Sequence, residues 1–304
     1  MTTIIGPEWD EKLDWRDLGK AFEAGHRMPK AGIEDSFLYR GDDTMLSRAA
    51  WIDGLGLLVK TATIFPGNTA QDLPAIGGSV SVFSDATGVL EAVIDFALMT
   101  KWKTAGDSAF AASRLARPDS RNILIVGAGT VGRNLCSAYR AYFPDARFTI
   151  WNRSPAGAEV FARDCPGAVI ADDLERAVRG ADIVTVATMT TEPLIRGDWL
   201  QPGQHLDLIG AYRPDMREAD DRALLRSSVF VDSRDTTLHH IGELKIPFEA
   251  GVIGAEHIRA DFYDLASGRF TRSASDEITL FKNGGGAHLD LMTARYVLDV
   301  VRSG

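Results

Sequence analysis

Residues 122–132 read Asn-Ile-Leu-Ile-Val-Gly-Ala-Gly-Thr-Val-Gly, a short apolar run followed by three glycines spaced G-x-G-x-x-G. This spacing, directly after a strand and at the start of a helix, is typical of dinucleotide-binding proteins. Gly127 allows a tight turn, Gly129 lets the backbone approach a pyrophosphate, and Gly132 lets the helix pack closely on the strand. The free N–H groups at the helix N-terminus favour an anion. The alternative is a glycine turn that binds no ligand.

The chain downstream of this segment alternates short apolar strands with helices. We predict strands at 147–151, 168–170, 182–187, 205–209 and 229–231. We predict helices from the glycine loop to Ala141, over 156–164 and over 173–179. Such alternation favours a parallel sheet with right-handed crossovers, so we expect an α/β fold with a doubly wound nucleotide-binding domain.

The chain upstream has a different pattern. Helical spacing in the first 30 residues gives way to strand signals from Ser36 to Asp95, which include a hairpin turn at 85–88. Residues 97–115 then read as a helix, and Pro118 ends it. We therefore predict a second, sheet-based domain that ends at Pro118.

Composition sets limits on the class of protein. A chain of 304 residues suggests about two domains, and 45% apolar residues exclude a disordered chain. The formal net charge of −9, without any basic run, argues against a nucleic-acid or anionic-membrane partner. A local basic pocket could still bind a small anionic substrate.

The two cysteines, Cys136 and Cys165, are too few for a disulfide scaffold and lack the spacing of metal ligands. We therefore expect reduced thiols and no metal, and none of the histidines forms a metal-binding pattern. The first residues lack the basic and apolar regions of a signal peptide, and no apolar run is long enough to span a membrane. These features predict a cytoplasmic protein.

The end of the second predicted strand indicates which dinucleotide binds. An NAD site expects an acidic residue there, but this chain has Asn152, followed by Arg153 and Ser154. These side chains offer hydrogen-bond donors and a positive charge, which suit a 2′-phosphate. We predict NADP(H) as the preferred cofactor, with NAD(H) possible. The alternative is that Arg153 is only a solvated loop residue.

Four segments of the chain resemble the ornithine cyclodeaminase/mu-crystallin family. They are Lys103-Thr-Ala-Gly-Asp-Ser108, Asp198-Trp-Leu-Gln-Pro-Gly-Gln-His-Leu206, Gly210-Ala-Tyr-Arg-Pro-Asp-Met-Arg-Glu-Ala-Asp220 and Thr279-Leu-Phe-Lys-Asn-Gly-Gly-Gly-Ala-His-Leu-Asp290. The third segment and Trp151-Asn-Arg153 are closer to the mu-crystallin, or ketimine reductase, branch.

The resemblance implies a Rossmann domain and a smaller α/β domain that binds substrate, dimerises and is built from both chain ends. We accordingly expect residues 119–279 to form the NADP-binding domain. Residues 1–118 with 280–304 are expected to form the other domain, and the protein is expected to be a homodimer.

The resemblance also implies which residues meet an amino- or imino-acid substrate. Lys60 matches the family's substrate-contacting lysine and is our candidate catalytic residue. Arg48 and Lys103 are further candidates for the substrate carboxylate, although the family usually has Arg where this chain has Lys103, and Lys gives only a point charge. Asp290 matches a family position near the nicotinamide, but it could equally cap the C-terminal helix. The alternative for Lys60 is a strand-end lysine that reaches water.

The loops at the carboxyl edge of the predicted parallel sheet are where cofactors lie. The predicted cofactor-binding residues are Gly127, Gly129, Thr130, Val131, Gly132, Asn152, Arg153, Ser154, Thr188, Met189, Thr190, Gly210 and Tyr212.

Three functions remain open at this point. The first is an NAD(P)H-dependent reductase of α-imino acids, or an amino-acid dehydrogenase, acting by hydride transfer. The second is ornithine cyclodeaminase, but the family's cyclodeaminases have an Asp where this chain has Tyr212, and only Asp215 lies nearby. The third is a non-catalytic, crystallin-like protein that binds NADP.

Overall fold

The structure, a computed structural model, describes residues 2–71 and 73–304, with the side chain of Thr69 left aside. The chain divides into two compact units. The first unit runs to Lys103 and resumes at Gly286–Gly304, and the second unit is Thr104–Gly285. The prediction of an α/β fold with a Rossmann-like parallel sheet and a smaller second domain is confirmed.

The first unit is built on a six-stranded sheet. Its strands are β1 (Thr3–Ile5), β2 (Gly32–Arg40), β3 (Asp43–Ile52), β4 (Gly56–Ile64), β5 (Ile76–Phe83) and β6 (Leu90–Asp95), in the order β1-β6-β5-β4-β3-β2. Its helices are α1 (Trp15–Gly25), the start of α2 (Phe96–Leu115) and α9 (Ala287–Ser303), with 3-10 turns at Pro7–Lys12 and Pro66–Gln71. All neighbouring strands are antiparallel except β1 and β6.

The register of this sheet aligns three charged residues. Asp35 on β2 lies opposite Arg48 on β3, and Arg48 lies opposite Lys60 on β4. Side chains directly opposite each other project from the same face of a sheet. Helix α9 packs against β3 and β4. The three side chains therefore form one row across the sheet.

The second unit is a parallel eight-stranded sheet in the order β13-β12-β14-β11-β10-β7-β8-β9. Its strands are β7 (Asn122–Val126), β8 (Arg147–Trp151), β9 (Val169–Ile170), β10 (Ile183–Val186), β11 (His205–Leu208), β12 (Ser228–Val231), β13 (Ile258–Ala260) and β14 (Thr279–Lys282). Its helices are α3 (Thr130–Tyr142), α4 (Pro155–Asp164), α5 (Leu174–Gly180), α6 (Asp221–Leu225), α7 (Arg234–Thr237) and α8 (Gly242–Glu249). Shorter 3-10 turns lie at Gly197–Trp199, Ala255–His257 and Phe262–Asp264.

The N-terminal region and the unit boundaries differ from the sequence prediction. Instead of one helical region, the N-terminal segment has a strand, a 3-10 turn and then α1, which begins after Asp14 because its carboxylate caps the N–H groups of Arg16 and Asp17. Strand β1 pairs with β6, a distant partner that local periodicity cannot reveal. The sequence predicts domain boundaries at 118/119 and 279/280. The compact units of the structure instead change after Lys103 and before Gly286, and β14 belongs to the parallel sheet.

The two cysteines also differ from expectation. Cys136 on α3 and Cys165 at the end of α4 form a disulfide, with their Cα atoms 6.1 Å apart. The expectation of two reduced thiols is therefore wrong, because the packing of two successive helices is not visible in the spacing of the cysteines. Within residues 2–71 and 73–304, no helix is long and apolar enough to cross a membrane.

Candidate active site

In the glycine loop after β7, Gly127 and Gly132 are required by the backbone conformation or the close packing of the loop itself. Gly127 has a positive φ of 108°, and a Cβ there would lie 2.5 Å from the carbonyl oxygen of Ala187. A Cβ on Gly132 would overlap the carbonyl oxygen of Gly127. At Gly129, by contrast, no described atom lies within 4 Å of the Cβ position. The open face at Gly129 fits the approach of a ligand backbone such as a pyrophosphate.

Helix α3 starts next to this open face. Gly129 is its N-cap residue and no described side chain caps it. Thr130 and Val131 form the first turn, in which backbone N–H groups lack helical partners. The helix N-terminus thus presents N–H donors and partial positive charge to an anion.

The segment after β8 joins this loop. Asn152 accepts a hydrogen bond from the Ala128 N–H at 3.1 Å, and its side-chain amide donates to the Ser154 carbonyl at 2.9 Å. Ser154 is the N-cap of α4 without a side-chain cap bond, and both it and Arg153 are exposed. Asn152 therefore links the glycine loop to the loop that follows β8. The exposed side chains of Arg153 and Ser154 leave hydrogen-bond donors at the surface.

Two further loops leave the carboxyl edge of the sheet, one after β10 and one after β11. They touch where Gly210 packs on Thr188, since a Cβ on Gly210 would overlap the Thr188 carbonyl oxygen. The Glu218 carboxylate bridges them. One oxygen accepts the N–H and hydroxyl of Thr188 at 2.7 and 2.8 Å, and the other accepts the N–H groups of Gly210 at 2.7 Å and Ala211 at 3.3 Å.

Buried charged residues hydrogen-bond to the backbone next to these loops. Burial raises the pKa of Glu218 to about 7, an effect opposed by the charge of Lys282 and increased by Glu243. Burial lowers the pKa of Lys282, whose ammonium donates to the carbonyls of Leu208 and Asn283 at 2.9 Å. Sequence reasoning did not single out these three residues. The one available signal was a charge inside an apolar strand, as in Thr279-Leu-Phe-Lys282.

The remaining predicted cofactor residues are less constrained. Met189 and Tyr212 are exposed, and the Thr190 hydroxyl donates to the Glu192 carbonyl. Asp215 accepts two hydrogen bonds from Arg213 at 2.9 Å, and this pairing lowers the pKa of its exposed carboxyl. Arg213 thus already holds the acid nearest to Tyr212.

In the first unit, the charged row on the sheet meets an acid from α9. The Lys60 ammonium donates to Asp290 at 2.9 Å, and Arg48 lies 3.8 Å from the other oxygen of this carboxylate. Arg48 also pairs with Asp35 at 2.7 Å. Asp290 is fully buried within α9, whose N-cap is Gly286. The alternative that Asp290 caps the C-terminal helix is therefore wrong.

The electrostatics of this cluster favour an additional anion. Burial would raise the pKa of Asp290, but the charges of Lys60, Arg48 and Lys103 outweigh it and lower the pKa. Burial lowers the pKa of Lys60 despite the attraction of Asp290, with Lys103 and Arg48 adding to the lowering. A further anion next to the three cations would reduce the repulsion among them.

A buried histidine lies beside this cluster. His288, also on α9, stands edge-on to His26 with ring centroids 5.3 Å apart. Burial lowers its pKa well below the usual range, and the positive charges of Lys103 and Arg48 act in the same direction. Sequence reasoning did not single out His288, although it lies in the segment Thr279–Asp290 that resembles the family.

Comparison with known proteins agrees with these features. The model of the ornithine cyclodeaminase/mu-crystallin family matches residues 49–304. The Δ1-pyrroline-2-carboxylate reductase of Paracoccus denitrificans (strain Pd 1222) is 50% identical over 297 residues, which cover 95% of this chain and 94% of that protein.

Two solved structures are similar over nearly the whole chain. Thermococcus litoralis Δ1-pyrroline-2-carboxylate reductase, in complex with NADH and L-proline, is 26% identical with a TM-score of 0.90 and covers 99% of this chain and 98% of its own. An archaeal alanine dehydrogenase dimer with bound NAD is also 26% identical with a TM-score of 0.90, covering 99% of this chain and 96% of its own. The chain belongs to the ornithine cyclodeaminase/mu-crystallin family.

Proposed function

We propose that this protein is an NAD(P)H-dependent reductase of α-imino acids, of the Δ1-pyrroline-2-carboxylate or ketimine type. The observation that carries the proposal is the cluster of buried Lys60 and Lys103 with partly buried Arg48 around the buried Asp290 carboxylate. The reductase from Paracoccus denitrificans, which is 50% identical, supports it. We assign the first unit to substrate binding and the second unit to cofactor binding.

The residues of the cluster have distinct tasks in this reaction. Arg48 and Lys103 bind the α-carboxylate of the substrate, and Asp290 orients the Lys60 ammonium through the 2.9 Å contact. Lys60 donates a proton to the imine nitrogen in this proposal, and the burial that lowers its pKa supports the role because it eases proton release. When bound, the reduced nicotinamide supplies the hydride for the imine carbon. The product is the corresponding amino acid.

We further propose that NADP(H) is preferred over NAD(H). Arg153 and Ser154 present a guanidinium and a hydroxyl at the N-terminus of α4, and the position where NAD sites have an acid is occupied by Asn152. The Arg153→Ala variant should bind NADPH about tenfold more weakly, a loss of about 1.4 kcal/mol in binding free energy. Its affinity for NADH should change little. Arg163→Ala, an exposed arginine on the same helix, is the matched control. Equal binding of the two cofactors to the unaltered protein would contradict the role of Arg153.

The reductase proposal is tested by NADPH oxidation with Δ1-pyrroline-2-carboxylate and Δ1-piperideine-2-carboxylate. We expect turnover with at least one of them and no ammonia release from ornithine. Ammonia release without NADPH oxidation would instead establish ornithine cyclodeaminase, against which the exposed Tyr212 and the Arg213–Asp215 pair argue. Tight NADPH binding without turnover of any imino acid would indicate the non-catalytic, crystallin-like function.

We also propose a homodimer. Strand β2 lies at the edge of the six-stranded sheet, and it exposes Phe37, Leu38 and Tyr39, the last two by 69% and 72%. A long, apolar, exposed edge strand is typical of a surface that another chain covers. The alanine dehydrogenase of similar structure is a dimer. Light scattering on the purified protein measures the oligomeric state directly.

A further inference from the structure

Glu218 lies on the loop segment before α6 and was outside every predicted set of site residues. We propose that Glu218 is a positioning residue, which holds the Thr188 and Gly210 loops in the arrangement that aligns the nicotinamide for hydride transfer. This inference rests on the proposed reductase function, because it assumes that these loops meet the reactive end of a dinucleotide.

The contacts of the carboxylate are unusually complete. Its two oxygens accept four hydrogen bonds, two from Thr188 and one each from Gly210 and Ala211. All four donors belong to the two loops that follow β10 and β11. Only an ionised carboxylate accepts at both oxygens without placing a hydrogen between itself and an N–H donor. The four donors around Glu218 therefore favour its ionised form, and their positions fit its two oxygens.

The backbone of Glu218 is itself anchored. Its N–H donates to Glu243 on α8 at 2.6 Å, and its carbonyl accepts from Leu194 and Ile195 at 2.9 Å each. Glu243 also accepts the N–H of Ala219 at 3.0 Å. Because the backbone of Glu218 is fixed by these hydrogen bonds, its carboxylate can hold the two loops in place and does not move with them.

The loops have little freedom to compensate for a change. Gly210 already lies against Thr188 with no room for a Cβ, so a shift of one loop moves the other. A buried N–H that loses its acceptor is destabilised, which favours a new loop position that gives it another partner. Misplacement of reacting groups by about 1 Å can lower a rate about 100-fold. Glu218 is positioned to control alignment without touching the glycine loop around Gly129.

The test is Glu218→Gln, which keeps the shape but turns one acceptor into a donor. We expect kcat for imino-acid reduction to fall about 10- to 100-fold, with less than about a threefold change in the KM of the imino acid. Calorimetry should show weaker binding of NADPH but unchanged binding of 2′-phospho-ADP-ribose, which lacks the nicotinamide. NADH and ADP-ribose are measured beside them. Glu249→Gln, an exposed residue on α8, is the control and should match the unaltered protein.

Equal weakening of NADPH and 2′-phospho-ADP-ribose, or unchanged values for both with unchanged kcat, would overturn the inference. If Glu218→Gln does not fold, Glu243→Gln serves instead. Glu243 accepts the backbone N–H groups of Glu218 and Ala219, and its charge also acts on Lys282. A selective loss at the nicotinamide in this variant would support the proposal, and unchanged NADPH binding with unchanged kcat would contradict it. Absence of turnover in the unaltered protein would defeat the reductase proposal, yet the binding comparison would still decide the role of Glu218.

Discussion

The two units prepare for their ligands in opposite ways. In the first unit, the proposed site is made of side-chain charges, since Lys60 and Arg48 come from adjacent strands and share one buried carboxylate, Asp290. In the second unit, the proposed site is made of backbone groups, at the open face of Gly129 and at the start of α3 with its N–H groups. Glu218, a buried carboxylate of that unit, binds the N–H groups of loops and not paired cations.

This difference predicts what each unit tolerates. A site made of side-chain charges is lost when one charge is removed, but the rest of its unit keeps its backbone. A site made of backbone groups is insensitive to most side chains and depends on where a Cβ can be accommodated. Variants in one unit should therefore alter substrate kinetics, and variants in the other should alter cofactor binding.

The largest effect is expected for Lys60→Met. We expect kcat/KM to fall at least about 100-fold, because the variant loses both a cation for the carboxylate and the candidate proton donor. Asp290 would lose its nearest partner while fully buried, so unfolding should become easier by about 3 kcal/mol. Steady-state kinetics, thermal unfolding and NADPH calorimetry measure the three quantities.

The control for this variant is Lys20→Met, which removes a largely exposed lysine from the same unit. NADPH affinity should be unchanged in both variants. If Lys60→Met weakened NADPH binding as much as it weakened catalysis, the division of tasks between the two units would be wrong.

An intermediate effect is expected from a pair of glycine variants. Gly129→Ala should raise the Kd of NADPH about tenfold, or about 1.4 kcal/mol, and leave thermal stability unchanged, because its Cβ meets only the space assigned to the ligand. Gly127→Ala should instead destabilise the fold by about 1–3 kcal/mol, because its φ of 108° is unfavourable for alanine. A drop in stability for Gly129→Ala equal to that for Gly127→Ala would show that the open face serves the fold and not a ligand.

The smallest effect is expected for Asp35→Asn. Asp35 pairs with Arg48 in a partly exposed position. Removing this ion pair should therefore weaken substrate binding by only about 0.5–1 kcal/mol. We expect a two- to fivefold rise in the KM of the imino acid, roughly what that energy corresponds to. Asp43→Asn, which removes the partner of exposed Arg40 on the same hairpin, provides the comparison. A change in kcat rather than KM would place Asp35 outside carboxylate binding.

Local signals predicted the parts of the molecule that depend on neighbours in sequence. Strand β8 has the bounds that the sequence predicts, because apolar runs flanked by turns are local features. The Glu218 bridge and the Cys136–Cys165 disulfide were missed, since each depends on how segments pack. The apolar strand and the family resemblance single out Lys60, but the sequence does not indicate that Asp290 on α9 is its partner, because that contact depends on how α9 packs on the sheet.

The register of β2, β3 and β4 determines where the chain can tolerate the insertion or deletion of a residue. Because side chains alternate between the two faces of a strand, moving β3 by one residue would turn Arg48 away from Lys60 and Asp290. The short turn between Ile52 and Gly56 sets that alignment. Insertions or deletions of a single residue there should be as damaging as replacing a charge, whereas the outer, solvated end of the β2–β3 hairpin around Gly41 should accept changes of length far more readily.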